Sequence, residues 1–399
     1  MNEGLSFQCA VCDRRLGLDE MCPSHPDTGP PRLAIETDSI HDSFDPDRAT
    51  RRDIWRYAPL LPVGKADPVT LGEGWTDLVT ADRIGDRLGV DLDLKREGAN
   101  PSGSTKDRGS SVLVTHARGQ NHERVTCAST GNAAASLAAY AARGGLGCSL
   151  FVPEHLPDAK ALQPRAYGAD LVTVAGGYGE AVSVCRQQVA EHGWLDRSAG
   201  ATALPATGAR TLGYELAEQT TDPDWVVVPV GNGGTLADLA RGWETFRELG
   251  YSAAVPRMLG VQARETSAIH DMVRERRDTV RTATQEASPP QGTAESDLAA
   301  RGRTCADSID VANPNRARAA REAIADTGGT TVTVGDGAIQ DAIRTLARDE
   351  GLFAEPASAA GLAGLVTAVD RGIVDPGDRV VVVITGTGFK DTETVADSL

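Results

Sequence analysis

The sequence predicts an α/β protein. Short, valine-rich apolar runs alternate with alanine-rich stretches of helical periodicity, which is the pattern of parallel β/α units. Glycine-rich turns come after several of these runs, and ligand groups are expected where parallel strands end. One lysine, Lys106, stands behind a Pro-Ser-Gly-Ser turn and ahead of a helical run. With 399 residues, 40% of them hydrophobic, the chain is long enough for two or three domains.

The individual elements follow from the spacing of apolar residues. The predicted strands are 124–128, 148–152, 170–174, 225–229, 258–262, 330–334 and 379–385. Helical periodicity is clearest in 132–143 and 338–348; in the second helix one face would carry Ile339, Ala342, Ile343, Leu346 and Ala347. The stretch 274–299 is polar and charged and contains a Pro-Pro pair, so it predicts a mobile surface insertion. The sequence contains no internal repeat.

The net charge of the chain limits the classes of molecule that it is expected to bind. Acidic residues outnumber basic ones 56 to 40, giving a net charge of −16, which disfavours nucleic acid and anionic membranes. The lysines are few: Lys65, Lys95, Lys106, Lys160 and Lys390. An acidic, arginine-rich surface indicates a high-salt cytoplasm, with an ordinary acidic cytosolic protein as the alternative. No window approaches the roughly 20 apolar residues of a membrane span, and the N-terminus has no basic segment followed by an apolar stretch, so we expect a soluble cytoplasmic protein.

The cysteines fall into two groups. Four are scattered, mostly in apolar contexts, and are expected to be reduced core thiols: Cys127, Cys148, Cys185 and Cys305. The others form a C-x-x-C followed by a C-x-x-H and suit a tetrahedral, structural zinc site: Cys9, Cys12, Cys22 and His25. The alternative is a metal-free arm. We therefore predict a zinc-knuckle-like segment at 1–30, a linker at 31–56 and a compact region at 57–399.

The segment 94–111, LKREGANPSGSTKDRGSS, is the strongest chemical signal. A tight turn can hold the amine of Lys106 in a buried position, where desolvation lowers its pKa and frees the lone pair. Such an amine can form an imine with an aldehyde cofactor. We therefore predict that Lys106 is catalytic.

Three further turns lie at the ends of predicted strands. In PVGNGGTLADLARGW (229–243) converging backbone N–H groups and a helix start favour an anion such as a phosphate monoester, although a purely structural turn is equally consistent. The absence of a lysine before Thr235 argues against an ATP-binding loop. In CASTGNAAASLAAYAARGG (127–145) Ser129 and Thr130 can hold a carboxylate and Asn132 can donate to a ring oxygen, or the segment is a simple helix cap. In VVVVITGTGFKD (380–391) the hydroxyl of Thr385 can meet a pyridine nitrogen, or be satisfied locally.

Together these segments supply the parts needed to hold pyridoxal phosphate and an amino acid. The chain resembles the β-family, or fold type II, of pyridoxal-phosphate enzymes, and within it threonine synthases. The resemblance covers 71–391 and rests on LGEGWTDL, NPSGSTKDRG, STGNAAAS, KALQPRAYGA, TLGYELAEQ, PVGNGGT, EGLFAEPASAAGLAGL and TGTGFKD, in the family's order. It implies two doubly wound open α/β domains with the active site between them, a small mobile domain at about 110–195, and a homodimer. The N-terminal cysteine pairs resemble those of some archaeal-type threonine synthases.

The resemblance also implies residue roles. Lys106 would be the Schiff-base lysine, Asn132 would bind the cofactor's 3-hydroxyl, and Thr385 would face the pyridine nitrogen. Residues in the glycine-rich turn would hold the cofactor phosphate: Gly231, Asn232, Gly233, Gly234 and Thr235. Ser129 and Thr130 would bind the substrate carboxylate, and Lys160 matches a lysine that follows the small domain's mobile loop.

The sequence departs from the family pattern at several positions. Thr105 replaces a usual phenylalanine, Thr235 a frequent asparagine, and Thr387 a common histidine or asparagine. Before Gly208 the chain reads SAGATALPATG and lacks the arginine that helps bind the substrate's phosphate in threonine synthases. Lys160 or Arg108 could supply the missing contact.

Three functions are compatible with the sequence. The first is a lyase that converts O-phosphohomoserine and water to threonine and phosphate, with Lys106 moving protons between Cα, Cβ and Cγ. The second is another β-elimination or replacement enzyme, such as a serine/threonine ammonia-lyase or a cysteate-synthase-like enzyme. The third is a binding or regulatory protein that keeps the fold without turnover, which the presence of Lys106 disfavours.

Overall fold

The structure is a computed structural model that describes residues 4–18, 20–25, 30–36, 40, 44–64, 67–282 and 303–399, with the backbone alone at 276–282. It divides into two compact units, each described by itself. Unit 1 comprises Met1–Asp77, Arg96–Asp222 and Asp238–Val255, and unit 2 comprises Leu78–Lys95, Pro223–Ala237 and Pro256–Leu399. Within the described residues no helix is both long and apolar enough to cross a membrane.

The strands, in chain order, are β1 (Leu5–Gln8), β2 (Arg15–Leu16), β3 (Arg32–Ile35), β4 (Leu78–Thr80), β5 (Asp91–Arg96), β6 (Arg124–Ala128), β7 (Gly147–Pro153), β8 (Asp170–Val174), β9 (Leu195–Asp196), β10 (Trp225–Pro229), β11 (Arg257–Ala263), β12 (Thr330–Val334) and β13 (Arg379–Ile384). The α-helices are α1 (Asp82–Leu88), α2 (Lys106–Gly119), α3 (Asn132–Gly144), α4 (Asp158–Ala166), α5 (Tyr178–His192), α6 (Leu204–Gln219), α7 (Gly234–Glu248), α8 (Ala268–Thr282), α9 (Ala317–Asp326), α10 (Asp336–Glu350), α11 (Pro356–Asp370) and α12 (Thr392–Asp397).

Unit 2 is built on a six-stranded sheet of order β12-β11-β10-β13-β5-β4. The four strands β10 to β13 pair in parallel, and β4 pairs antiparallel with β5. Every residue of β10 is buried, as expected for a central strand covered on both faces. Helices α10 and α11 contribute Ile339, Leu346 and Leu362 to the same core. Four residues of the predicted face of the 338–348 helix are thus confirmed as buried, namely Ile339, Ala342, Ile343 and Leu346, whereas Ala347 is half-buried.

Unit 1 holds a four-stranded parallel sheet of order β8-β7-β6-β9. Helices α2 and α3 supply Val112, Val114, Leu137 and Tyr140 to a core that also includes Val125 of β6. The predicted small domain at about 110–195 lies within this unit, and its mobility stays a prediction. All seven predicted strands are present with bounds within one residue. Six of them are largely buried and rich in β-branched and apolar residues, whereas β8 is mostly exposed.

The N-terminal segment forms a three-stranded antiparallel sheet in the order β2-β1-β3. Part of the stretch predicted as a linker, 31–56, therefore differs from the prediction: β3 pairs with β1, and Leu33 and Ile54 are buried. The physical reason is that Leu5, Phe7 and Leu33 pack into an aromatic cluster with residues far along the chain. The linker prediction followed the overall composition, which is rich in Pro, Asp and Ser, and overlooked the few apolar residues that pack into this cluster.

The polar stretch 274–299 is only partly described. Its first residues belong to α8, which ends at Thr282, and the mobility expected of the insertion stays a prediction. Residues 283–299 lie outside the described residues. Sequence reasoning missed β4 because it has only three residues, and missed β5 because four of its six residues are charged.

Candidate functional site

Lys106 is the first residue of α2 and is half-buried. The turn before it is fixed by the neighbouring carboxylate, Asp107, which accepts hydrogen bonds from the Ser102 amide at 2.6 Å and from the Ser102 hydroxyl. Gly103 occupies the left-handed region with φ 92°, and its amide donates to the Asn100 carbonyl at 2.8 Å. Burial raises the pKa of Asp107, while the hydrogen bonds from Ser102 oppose that rise. Asp107 thus holds the lysine turn, a role that sequence reasoning missed although it follows Lys106 directly.

Arg108 is fully buried, and its guanidinium is bound by protein groups. Its Nε and Nη2 donate to Glu97 at 2.7 Å each, and its Nη1 donates to Glu215 at 2.8 Å and to Thr211 at 3.1 Å. Burial opposes the guanidinium charge, but the ion pairs with Glu215 and Glu97 outweigh it and raise the pKa of Arg108. The prediction that Arg108 supplies a substrate-phosphate contact is therefore wrong, because two buried carboxylates already hold its charge.

Arg197, directly after β9, is a second buried arginine and a residue that sequence reasoning missed. Only 6% of its surface is exposed. Its Nε donates to the Ser110 hydroxyl at 3.3 Å, and its Nη2 donates to the carbonyl of Lys106 at 3.4 Å. Its other N–H groups have no hydrogen-bond partner, and no carboxylate forms an ion pair with it, among the described residues. Burial lowers the pKa of Arg197. A buried cation of this kind, next to the lysine turn, is suited to an anion.

The start of α3 carries the predicted carboxylate site. Strand β6 ends at Ala128, the half-buried residues Ser129 and Thr130 follow, and the helix begins at Asn132. The amide of Gly131 donates to the Ser129 hydroxyl at 3.3 Å. Because the positive end of a helix of 13 residues points here, an anion is favoured. The structure places these residues and Lys106 in the same unit.

Lys160 lies on α4, one turn before Gln163, and is half-buried. The Nε2 of Gln163 donates to the carbonyl of Ser102 at 3.1 Å. Helix α4 therefore contacts the lysine turn directly, which brings Lys160 to the same side of unit 1 as Lys106.

The glycine-rich turn of unit 2 has the close packing expected of a phosphate cradle. A Cβ on Gly231 would lie 3.0 Å from the Ser308 carbonyl oxygen. Gly233 has φ +89°, and a Cβ there would lie 2.8 Å from the Cβ of Ala320. A side chain at Gly233 would therefore clash and strain the backbone, and one at Gly231 would push its neighbours by a few tenths of an ångström. Helix α7 begins at Gly234, so the backbone N–H groups of the turn and the positive end of the helix favour phosphate oxygens at this point.

Thr385 follows β13 at the same edge of the sheet. Strands β10 and β13 are parallel neighbours, with Val227 opposite Val382, so the chain leaves both strands at one edge of unit 2. Thr385 is half-buried, and its hydroxyl lies 2.9 Å from the buried hydroxyl of Ser358. The glycine turn and Thr385 are thus brought together in unit 2, as the order of parallel strands requires.

The N-terminal cysteines and histidine form a compact donor set. The ligand atoms of Cys9, Cys12, Cys22 and His25 all lie within 4.8 Å of one another. Cys12 and Cys22 sulfurs are 3.8 Å apart, and His25 Nδ1 lies 3.6 Å from Cys9 Sγ and 3.7 Å from Cys22 Sγ. Tetrahedral zinc with ordinary bond lengths would separate two sulfurs by about 3.8 Å and a sulfur from a nitrogen by about 3.6 Å. A hydrogen bond from the Val11 amide lowers the pKa of Cys9 to about 6, which favours the thiolate that zinc requires. The residues fit the metal.

Comparison with known sequences agrees with this geometry. Residues 69–386 match a family described as "Pyridoxal-phosphate dependent enzyme". The threonine synthase of Methanocaldococcus jannaschii is 34% identical over 394 residues, which is 97% of this chain and 93% of that protein. The threonine synthase of Methanosarcina acetivorans is 36% identical over 86% of this chain and 82% of its own length.

Solved structures with low sequence identity share the fold. The processed form of threonine deaminase isoform 2 from Solanum lycopersicum aligns with a TM-score of 0.66 at 21% identity, covering 86% of this chain and 92% of that one. Maize serine racemase aligns with a TM-score of 0.64 at 20% identity, covering 81% of this chain and 91% of its own. At this level of identity the likeness establishes the fold, which is that of fold type II pyridoxal-phosphate enzymes.

Proposed function

Because the chain belongs to the threonine synthase family of pyridoxal-phosphate enzymes, we propose that it converts O-phosphohomoserine and water to threonine and phosphate. The observation that carries the proposal is the similarity to threonine synthases over 97% of the chain. Pyridoxal phosphate is the cofactor and, when bound, supplies the electron sink that stabilises negative charge next to the amino group.

The chain's own residues fit this cofactor. The phosphate would be held by the turn formed by Gly231, Asn232, Gly233, Gly234 and Thr235, where a side chain at Gly231 or Gly233 would crowd neighbouring atoms. The Thr385 hydroxyl would meet the pyridine nitrogen, and Asn132 the 3-hydroxyl. Lys106 would carry the cofactor and afterwards move protons at Cα, Cβ and Cγ of the substrate.

The substrate's two anionic groups would meet different parts of unit 1. Its carboxylate would bind the start of α3 through Ser129 and Thr130. Its phosphate would be bound by Lys160 and Arg197. We assign this phosphate contact to Arg197 instead of Arg108, because the described contacts of Arg197 leave several N–H groups for an anion.

The decisive assay supplies purified protein with O-phosphohomoserine, threonine or phosphoserine and measures phosphate and ammonia separately. Phosphate release from O-phosphohomoserine with threonine as product, and without ammonia, supports the proposal. Ammonia release from threonine supports the alternative, a serine/threonine ammonia-lyase, and overturns ours.

Two variants of Lys106 sharpen the assay. Lys106→Ala removes the amine, and Lys106→Arg keeps the positive charge but not the nucleophile. Both should lose turnover and the visible absorbance of the covalently held cofactor. Turnover that survives in Lys106→Arg would show that the lysine acts only through its charge.

Further features of the protein belong to the same proposal. Zinc would occupy the site formed by Cys9, Cys12, Cys22 and His25 and stabilise the N-terminal sheet without taking part in the reaction. The enzyme would work as a homodimer in a high-salt cytoplasm, and the region at about 110–195 would move as a small domain. The low lysine content and the net charge of −16 support the assignment to high salt.

A further inference from the structure

Ser110, on α2, contacts the arginine proposed to bind the substrate's phosphate. Ser110 and Ser136, on α3, are both fully buried. The Ser110 hydroxyl accepts a hydrogen bond from the Ser136 hydroxyl at 2.7 Å and a second one from Arg197 Nε at 3.3 Å. Both lone pairs of the Ser110 oxygen are therefore used, and one of them orients the guanidinium.

The contacts of Arg197 occupy one edge of its guanidinium. The Nε–H and Nη2 lie on the same side of this planar group, and they donate to the Ser110 hydroxyl at 3.3 Å and to the Lys106 carbonyl at 3.4 Å. The fork formed by Nη1 and Nη2 at the end of the side chain has no other partner among the described residues. Such a fork matches two oxygens of a phosphate.

Two neighbouring carboxylates leave this fork open. Asp107 and Asp196 lie close enough for their charges to act on Arg197. Asp107 accepts its hydrogen bonds from Ser102, however, and Asp196 Oδ1 accepts one from the Ser198 amide at 2.7 Å. Within the described part of the chain neither carboxylate forms an ion pair with Arg197. The charge of the arginine is thus supported by the protein while its fork stays available to an anion.

The backbone of Arg197 is fixed beside the predicted carboxylate site. The Arg197 amide donates to the Thr126 carbonyl of β6 at 2.8 Å. The amide of Ala128, the last residue of β6, donates to the Ser198 hydroxyl at 2.8 Å. Ser129 follows Ala128 directly. One strand therefore holds the backbone next to both sites, while α2 holds the arginine side chain, which suits a substrate that carries a carboxylate and a phosphate.

We propose that Ser110 is a positioning residue that holds the side edge of Arg197 and thereby directs the Nη1–Nη2 fork toward the substrate's phosphate. The inference rests on the proposed binding of that phosphate by Arg197. Without the Ser110 hydroxyl the guanidinium can rotate, so binding the phosphate must also order the side chain, and affinity falls. The proton transfers assigned to Lys106 do not depend on Ser110.

The test is steady-state kinetics of the holoenzyme with O-phosphohomoserine. Ser110→Ala should raise the KM about two- to tenfold, the range expected for one hydrogen bond, with kcat and the cofactor absorbance unchanged. The inhibition constant of inorganic phosphate should rise by the same factor, whereas that of threonine, which has no phosphate, should not change. An equal rise for threonine would show a general distortion of the site and refute the proposal. Ser110→Cys, which keeps a weak acceptor, should give an intermediate KM.

Two further variants test whether Ser110 acts through Arg197. Ser111→Ala is the matched control: it removes a buried hydroxyl of the same helix that bonds the Val69 carbonyl at 2.8 Å, and it should leave the KM unchanged. In the Arg197→Gln background, Ser110→Ala should raise the KM no further. If the two effects multiply, Ser110 acts independently of Arg197 and the proposal is wrong.

The outcomes separate the failure of this inference from the failure of the proposed function. If Arg197→Gln raises the KM but Ser110→Ala and Ser110→Cys match wild type, the role of Ser110 alone is refuted. If Arg197→Gln also matches wild type, Arg197 does not bind the phosphate, and the inference fails while the reaction assignment stands. If the wild-type holoenzyme releases no phosphate from O-phosphohomoserine, the proposed function fails and the inference fails with it.

Discussion

Replacing Arg108 by methionine should lower the free energy of unfolding substantially. In the variant that remains folded, the KM for the phosphorylated substrate should change little. The substitution removes the cation that bridges Glu97 and Glu215, and all three side chains have an exposed fraction of 0%. Breaking a buried ion pair by removing one partner costs about 3–5 kcal/mol of unfolding free energy. Other hydrogen bonds to the two carboxylates, from Thr76 and the Trp75 amide, place the expected loss toward the lower end of that range.

The pH dependence of the loss has a definite sign. The variant buries carboxylates that have lost their cation, and burial without a partner raises the pKa of a carboxyl group above the unfolded value of about 4.3. A group with a raised folded-state pKa contributes stability below its unfolded pKa and loses that contribution as the pH rises. The deficit of the variant should therefore be smallest in acid and grow toward neutral pH.

The measurement is denaturant unfolding of wild type and Arg108→Met at several pH values. Arg318→Met is the matched control, since its ion pair with Glu322 is exposed, with side chains 48% and 38% accessible, and should cost at most about 1 kcal/mol. A triple variant that also carries Glu97→Gln and Glu215→Gln should recover part of the loss. If Arg108→Met is as stable as the control but shows a raised KM for the phosphorylated substrate, Arg108 binds substrate and our account of it is refuted.

Three further predictions concern the ligand sites. Gly233→Ala should weaken cofactor binding about tenfold in a fluorescence titration, because the added Cβ would contact Ala320 and the backbone has φ +89°. Gly337→Ala is the control and should bind the cofactor normally, because nothing lies within 4 Å of its added Cβ. Arg197→Gln should raise the KM for O-phosphohomoserine about 10- to 100-fold, because the variant loses a charge-assisted hydrogen bond to the substrate phosphate. The cofactor spectrum should stay unchanged. An unchanged KM would show that Arg197 does not bind the phosphate. Cys22→Ser should lower the thermal midpoint and abolish bound zinc measured by metal analysis, with kcat unaltered in the folded protein; loss of kcat would contradict a purely structural metal.

The sequence by itself determined the α/β class, the parallel strands and the chemical role expected of the lysine turn. The reason is that these features are local. A buried strand appears in the sequence as a continuous apolar run such as 225–229. A turn that binds phosphate needs glycines at fixed offsets. Both features can therefore be predicted without knowing which residues pack against them. The cysteine spacing predicted a metal site for the same reason, and the donor atoms converge as expected.

The tertiary structure alone decided what the two arginines do. Arg108 is adjacent in sequence to the lysine turn, yet it pairs with Glu215, more than a hundred positions away, and its side chain is fully buried. Arg197 carries no motif, yet it lies beside the Lys106 carbonyl and has no ion pair among the described residues. Spacing along the chain predicts neighbours within a turn or helix, but the partner of a buried charge is set by packing between distant segments. Because an unpaired charge is costly away from water, the partner of a buried arginine decides whether its guanidinium is held within the protein or can bind an anion.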